Sequence, residues 1–399
     1  MLEPETFARN LLLWMGSVDE LGTPSYLAFW GYDYAARRGV GNYYSTNCFT
    51  LLELIHAYLR VTGDFSFLNT TLSIGPFPNG TYAHARVYDL SVAMARHWRA
   101  MAPSGHLADY GLAPNLLECV PSYIHYVASC NAGNAWMSAA MAEIAGARGD
   151  AVTAAALAAD AAAIADEVLA RLYLPSKGFF AALQPNGSAV PVQHVMDYVY
   201  VTRFLGVAGG AAGGRVGAGV ITAATAAEMA AFVRGALLVP HWMRALSLTD
   251  PAAPLSNRSD HGPSGAYIGW PALTVKALAS QGLRADALAF LNDTLFVATL
   301  GPYGQAVEVR PPGDPYKPMD VTLYNAMVSH AFADAIADVA FGWEIPLVLP
   351  GGAAPSNPLK DPGVPRGFTG TLFNVEWLGR LYNVVSRDDG LSFVAAAHE

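Results

Sequence analysis

Gly105 to Trp136 reads G-H-L-A-D-Y-G-L-A-P-N-L-L-E-C-V-P-S-Y-I-H-Y-V-A-S-C-N-A-G-N-A-W, and the chain runs on as M-S-A-A-M-A-E-I-A to Ala145. A polar, Gly- and Pro-marked loop feeds directly into a long run of small and apolar residues. The run reads as a buried helix from about Asn131 to Ala145. The loop gathers groups able to do chemistry: Asp109 in a Gly-flanked turn, Glu118 in an apolar setting, then His125, Asn131, Asn134 and Trp136 at the mouth of the helix. The turn predicts that Asp109 is held by backbone geometry rather than by a charged partner. Asp109 as a turn residue and Asn131 as a helix cap are the plainer alternatives.

Outward from this stretch the same unit recurs. Helices are expected near Pro4–Met15, from Cys48 to Gly63, near Ala83–Ala100, Ala151–Leu172, Val192–Gly206, Thr222–Leu237, Pro271–Gln281, Ala285–Ala298 and Leu323–Phe341. Some are apolar nearly all round and others are Ala-rich, as inner and outer members of antiparallel hairpins would be. Loops rich in aromatic and polar residues recur where one hairpin hands over to the next. One is S-Y-L-A-F-W-G-Y-D-Y with N-Y-Y-S-T-N behind it, holding Trp30, Tyr32, Asp33 and Asn47. A second, N-R-S-D-H-G-P-S-G-A-Y-I-G-W, carries Asp260, His261 and Trp270. A third, G-P-Y-G-Q-A-V-E-V-R, carries Glu308. The Gly-rich run near Gly209 is low-complexity and expected to be a surface insertion. No repeat of fixed period is present, which disfavours a regular solenoid. The all-α expectation is a toroid of helical hairpins over residues 1–345, followed by a Pro/Gly linker and short β strands over 346–399.

Composition narrows the function. Of 399 residues, 53% are hydrophobic and 14% charged, with a net charge of -9 and no basic stripe, which argues against a nucleic-acid partner. The 44 aromatic residues (8 Trp, 19 Tyr, 17 Phe) suit stacking against sugar rings as well as a large core. Cys48, Cys119 and Cys130 are too widely spaced for a zinc motif, and buried thiols are expected. No metal or cofactor is expected: the histidines lack ligand spacing, and neither a nucleophile elbow nor a dinucleotide fingerprint is present. No run is apolar and long enough to span a bilayer. The first residues are too acidic for a secretory signal, whereas sequons at Asn69, Asn79, Asn186, Asn257 and Asn292 favour a secretory, luminal or extracellular glycoprotein. Oligomeric state is not legible.

Three patterns carry a family resemblance: Y-Y-S-T-N-C-F-T-L-L-E-L-I-H-A-Y-L-R-V-T-G-D from Tyr43, N-A-G-N-A-W-M-S-A-A-M-A-E-I-A from Asn131, and S-G-A-Y-I-G-W-P-A-L-T from Ser264. In this order they resemble the six-hairpin glycosidases, the (α/α)6 toroids, and most of all the clan of trehalases and glycoside hydrolase family 63. The resemblance implies a glycosidase with two carboxyl groups on opposite sides of the scissile bond, and inversion of configuration. By position, Asp109 stands as acid and Glu308 as base, although the trehalase acid motif is absent and the last pattern lacks its Arg. Trp30, Tyr32, Asp33, Asn47, Glu118, Asn131, Trp136, Asp260, His261 and Trp270 are the expected carbohydrate ligands, with Glu118 also the reserve acid. A catalytically degraded sugar-binding toroid and a lyase or epimerase on the same fold are the alternatives. An epimerase would need paired histidines facing the cavity.

Overall fold

The computed structural model describes residues 3–19, 21–24, 31–33, 35, 38–40, 47–112, 117, 119–208, 219–256, 258–267, 269–295, 309–310, 331–343, 347–348, 357–359 and 367–396. For 31–32, 38–40, 47–48 and 309–310 it describes the backbone alone.

Helices alternate along the chain: α1 (Pro4–Met15), α2 (Asn47–Thr62), α3 (Val87–Arg96), α4 (Ala128–Ala147), α5 (Ala151–Arg171), α6 (Val195–Leu205), α7 (Ala223–Phe232), α8 (Gly269–Ser280), α9 (Arg284–Leu295) and a helical stretch over 331–340. The inner and outer members expected from the sequence are distinct. The first residues of α4, from Ala128 to Ala135, are all buried, as are eight of the twelve residues of α8. Outer α5 buries only a stripe, Leu157, Asp160, Ile164, Ala165 and Val168, at the spacing of one helix face. Inner helices pack on one another, α2 on α4, α4 on α6 and α6 on α8, and each of α4 and α8 also packs on the outer helix that follows it. The α2–α4 approach is close enough to require Gly133: a Cβ there would lie 2.4 Å from Cδ1 of Phe49.

Caps set the ends. The Asp150 carboxylate accepts from Thr153 N at the start of α5 and from the Tyr88 hydroxyl of α3, so one side chain ties cap and neighbour together. Helix α3 starts four residues later than the sequence predicts, because residues 83–86 pair as β4 (Ala83–Arg86) with β3 (Thr71–Ile74). Helix α4 starts three residues earlier than predicted, at Ala128, so Asn131 lies inside it rather than at its cap. The tail is a three-stranded antiparallel meander, β12 (Gly370–Trp377), β13 (Arg380–Arg387) and β14 (Gly390–Ala395), as expected, docked on α2 by Leu378 N donating to Val61 O.

The connections are unequal. Inner α4 and α8 pass to the outer helices that follow them through only residues 148–150 and 281–283, whereas inner α2 and α6 do so through the longer segments 63–86 and 206–222. Outer helices pass back to inner ones through residues 97–127, 172–194 and 238–268. The two latter segments carry the small ladders β5 (Tyr173–Leu174), β6 (Phe179–Leu183) and β7 (Ala189–Val192), then β8 (Leu238–Val239) and β9 (Trp242–Met243). All of these returning connections enter inner helices at their N-terminal ends.

Candidate active site

The N-terminal ends of α4, α6 and α8 meet. Ser129 N, in the first turn of α4, donates to the Asp197 carboxylate in the first turn of α6 at 2.9 Å. The ring of His194, the residue capping α6, lies 5.7 Å from that of Trp270 at the start of α8. The residues before α4 cross this junction as a strap. At its near end Gly105 adopts φ +72, and His106 N and Nδ1 both contact the Glu167 carboxylate of α5 at 2.9 Å. At its far end the Tyr123 hydroxyl donates to Asp197, and the Cys119 thiol points to the carbonyl of His261.

Asp109 sits on the part of the strap that runs over the first turns of α4. Asn131 holds that part in place. Fully buried, its Oδ1 accepts from Ala108 N at 2.7 Å, and its Nδ2 donates to Ala108 O at 3.2 Å and Val127 O at 3.0 Å. Both amide protons are spent on backbone, so in this structure Asn131 clamps the loop. Asn134, one turn on, donates to the Tyr110 hydroxyl at 2.9 Å.

The Asp109 carboxylate is about one-fifth exposed, and both of its hydrogen bonds to described residues fall on Oδ1. Gly111 N donates at 2.8 Å, and His125 Nδ1 lies at 2.9 Å. A backbone donor holds Asp109, as the turn predicts, and an imidazole shares the task. His125 has φ +64, a conformation that side chains bearing a Cβ seldom adopt.

A second cluster adjoins the starts of α6 and α8. Trp270 is buried, and its indole N–H points to His261 Nδ1 at 3.3 Å. The rings of His194, His261, Tyr267 and Trp270 pack on one another. Arg258 contacts both oxygens of Asp260, and His261 N donates to the same carboxylate. Burial of Asp260 opposes ionisation, but these donors outweigh it and bring its pKa down to about 2. Burial drives His194 down to about 3; its neutral ring accepts from Met196 N and donates to His261 O.

Of the remaining expected ligands, Trp136 is half-buried between His56 and Phe204. Asp33 ends β1 (Gly31–Asp33), which pairs with β2 (Arg38–Val40), and its carboxylate accepts from Ala35 N. Tyr32 pairs through its backbone with Gly39, and Asn47 opens α2. Trp30, Glu118 and Glu308 lie outside the described residues. The backbone directly after Glu308 is β11 (Val309–Arg310), and it pairs with β10 (Ala266–Tyr267), in the loop of Asp260 and His261.

Sequence reasoning gave no role to Tyr123, His194 and Asp197. Asp197 carried a signal, an acid inside the apolar run V-M-D-Y-V-Y-V. It is 1% exposed, and burial, only partly offset by the Tyr123 and Ser129 donors, raises its pKa to about 7. Cys119 and Cys130 are buried, as expected, and burial pushes the Cys119 thiol up to about 12. Among the described residues no group of three or more His, Cys, Asp or Glu is placed to hold a metal ion, and no helix is long and apolar enough to cross a membrane.

No family model and no curated protein matches the sequence. Among solved structures, the chain is similar to a rhamnosidase from Klebsiella oxytoca with rhamnose bound, at TM-score 0.52 and 12% identity over 86% of this chain and 55% of that one. It is also similar to a GH78 family rhamnosidase of Bacillus sp. GL1, at TM-score 0.57 and 14% identity over 96% of this chain and 35% of that one. The chain thus spans about half or less of the length of either neighbour. At such identities the likeness shows the fold, which is that of these glycoside hydrolases.

Proposed function

We propose that the chain is a glycoside hydrolase acting with inversion on a non-reducing-end sugar, on an (α/α)6 toroid related to the trehalase and family 63 clan. The observation that carries this reading is Asp109. A partly exposed carboxylate with one oxygen engaged and the other without a partner among the described residues stands at the long-loop end, on a strap built over the starts of the inner helices. Asp109 serves as the acid and Glu308 as the base, with His261, Asp260, Trp136 and the aromatic loop residues holding the sugar. The rhamnosidase likeness puts rhamnosides first among the substrates to try, because a shared fold narrows chemistry without fixing it. A panel of aryl glycosides, with the product anomer followed by NMR, tests the reading. Turnover with inversion, lowered about 10²–10⁴-fold in Asp109→Asn, is the expected result. Retention of configuration rejects the inverting mechanism, and an unimpaired Asp109→Asn variant rejects the acid.

The second reading is a sugar epimerase, and one histidine pair favours it: the ring of His261 packs against that of His194. Incubation of free reducing sugars in deuterated water separates the two. An epimerase incorporates solvent deuterium next to the carbonyl carbon, and a hydrolase does not.

A further inference from the structure

We propose that His125 is a positioning residue for Asp109, fixing which carboxylate oxygen delivers the proton; the proposal rests on the reading of Asp109 as the acid. Two observations carry it independently of any titration. The first is backbone geometry. His125 sits at φ +64, where a residue with a Cβ is strained, and strain of this kind persists only where surroundings over-determine it. Here they do: His125 N donates to Gly111 O at 2.8 Å and Tyr110 N donates to His125 O at 3.0 Å, so His125 bonds through its backbone to both residues that follow Asp109. Either glycine or asparagine would sit at this φ with less strain, yet the position holds histidine.

The second is how the bonds divide. Nδ1 of His125 and N of Gly111 converge on Oδ1 of Asp109, and no described residue bonds Oδ2. A ring nitrogen facing a carboxylate oxygen that already accepts from Gly111 carries a proton on Nδ1 and donates it to that oxygen. The ring is thereby locked, and it locks the carboxyl group in turn. Oδ2 is the oxygen left for the substrate. In the hydrolysis, the bond from the anomeric carbon to the glycosidic oxygen breaks. The Oδ2 proton passes to that oxygen, water deprotonated by the base bonds to the carbon, and the negative charge left on Asp109 meets two donors already aimed at Oδ1. Donors oriented before charge develops stabilise the transition state more than the ground state.

The test uses leaving groups. An alcohol of high pKa needs the proton, whereas dinitrophenolate departs without it. His125→Gly keeps the backbone conformation and loses the donor; His125→Asn keeps the conformation and supplies an amide donor. With the sugar that the enzyme turns over, kcat and KM are measured for a methyl-type and a dinitrophenyl leaving group. For His125→Gly we expect kcat to fall about 10²-fold on the poor leaving group, the cost of a misplacement on the order of 1 Å. KM and the dinitrophenyl rate should change little, and His125→Asn should recover most of the loss. Equal loss on both leaving groups, or no loss on either, overturns the proposal. If Asp109→Asn shows the leaving-group-selective loss and His125→Gly does not, the positioning role alone fails. If Asp109→Asn is unimpaired on the poor leaving group, or no aryl glycoside is turned over, the reading of Asp109 fails and this proposal with it.

Discussion

Replacing Asn131 with alanine removes the clamp between the strap and α4, and its cost can be worked from the bonds. Ala108 is fully buried, and both its N–H and its C=O are satisfied by the Asn131 amide. Val127 O keeps the helical bond from Asn131 N at 3.3 Å, so it is not orphaned. Two buried backbone groups therefore lose their partner, at about 1–3 kcal/mol each, or about 4 kcal/mol together. At about 2.1 cal/mol/K per residue, 399 residues give an unfolding entropy of about 0.84 kcal/mol/K, so the melting temperature should fall by about 5 °C. Scanning calorimetry at pH 7 reads this directly. Asn131→Asp sharpens the test: it keeps the acceptor for Ala108 N but turns carboxylate oxygens toward the carbonyls of Ala108 and Val127. It should melt lower than the alanine variant, the reverse of what side-chain volume alone would give. Since Asp109 adjoins Ala108, turnover on the best glycoside should fall about 10²-fold in either variant, the cost of displacing a catalytic group by about 1 Å. A melting temperature within 1 °C of wild type for Asn131→Ala would refute the clamp, as would an aspartate variant more stable than the alanine one.

Gly133→Ala should destabilise by about 1–3 kcal/mol, read by urea unfolding, because its Cβ would overlap the Phe49 ring; Phe49→Leu in the same chain should recover part of the loss. Asp197 holds its proton more tightly folded than unfolded, so its contribution is complete at acid pH and is lost as pH rises from about 4 to about 7. Asp197→Asn, isosteric with the protonated acid, should flatten the melting temperature over that interval. His194 behaves in the opposite sense: its folded pKa, about 3, lies below the unfolded value, so stability present above about pH 6.5 is lost as pH falls toward 3. His194→Gln should flatten the acid side of the melting profile.

Hairpins were legible because periodicity and small-residue content are local properties: the Ala-rich run of α5 and the apolar face of α2 need no knowledge of the rest of the chain. Their ends were less so. Residues 83–86 were assigned to a helix because nothing in A-H-A-R announces that Thr71–Ile74 will pair with it. The two polar clusters followed the same division. Asp109, Asp260 and His261 stood out as polar residues in Gly- and Pro-marked loops. The clamp made by Asn131 was not legible, since an asparagine facing backbone and one facing a ligand look alike in sequence. His125 was visible as a residue, but its backbone conformation and its bond to Asp109 emerge only when residues 109–111 and 125 are brought together. Asp197 illustrates the strongest missed signal: a charge within V-M-D-Y-V-Y-V has to be neutralised or paired, and the partner lay in the strap, at Tyr123.

Because residues 148–150 and 281–283 turn the chain within a few residues while 97–127, 172–194 and 238–268 wander, the hairpins begun by α4 and α8 have a plain back and an elaborate front. Gly149 and Gly282, at the back, have no described residue within 4 Å of where a side chain would begin. A surface tether or fused partner attached on that side would leave the front open to solution.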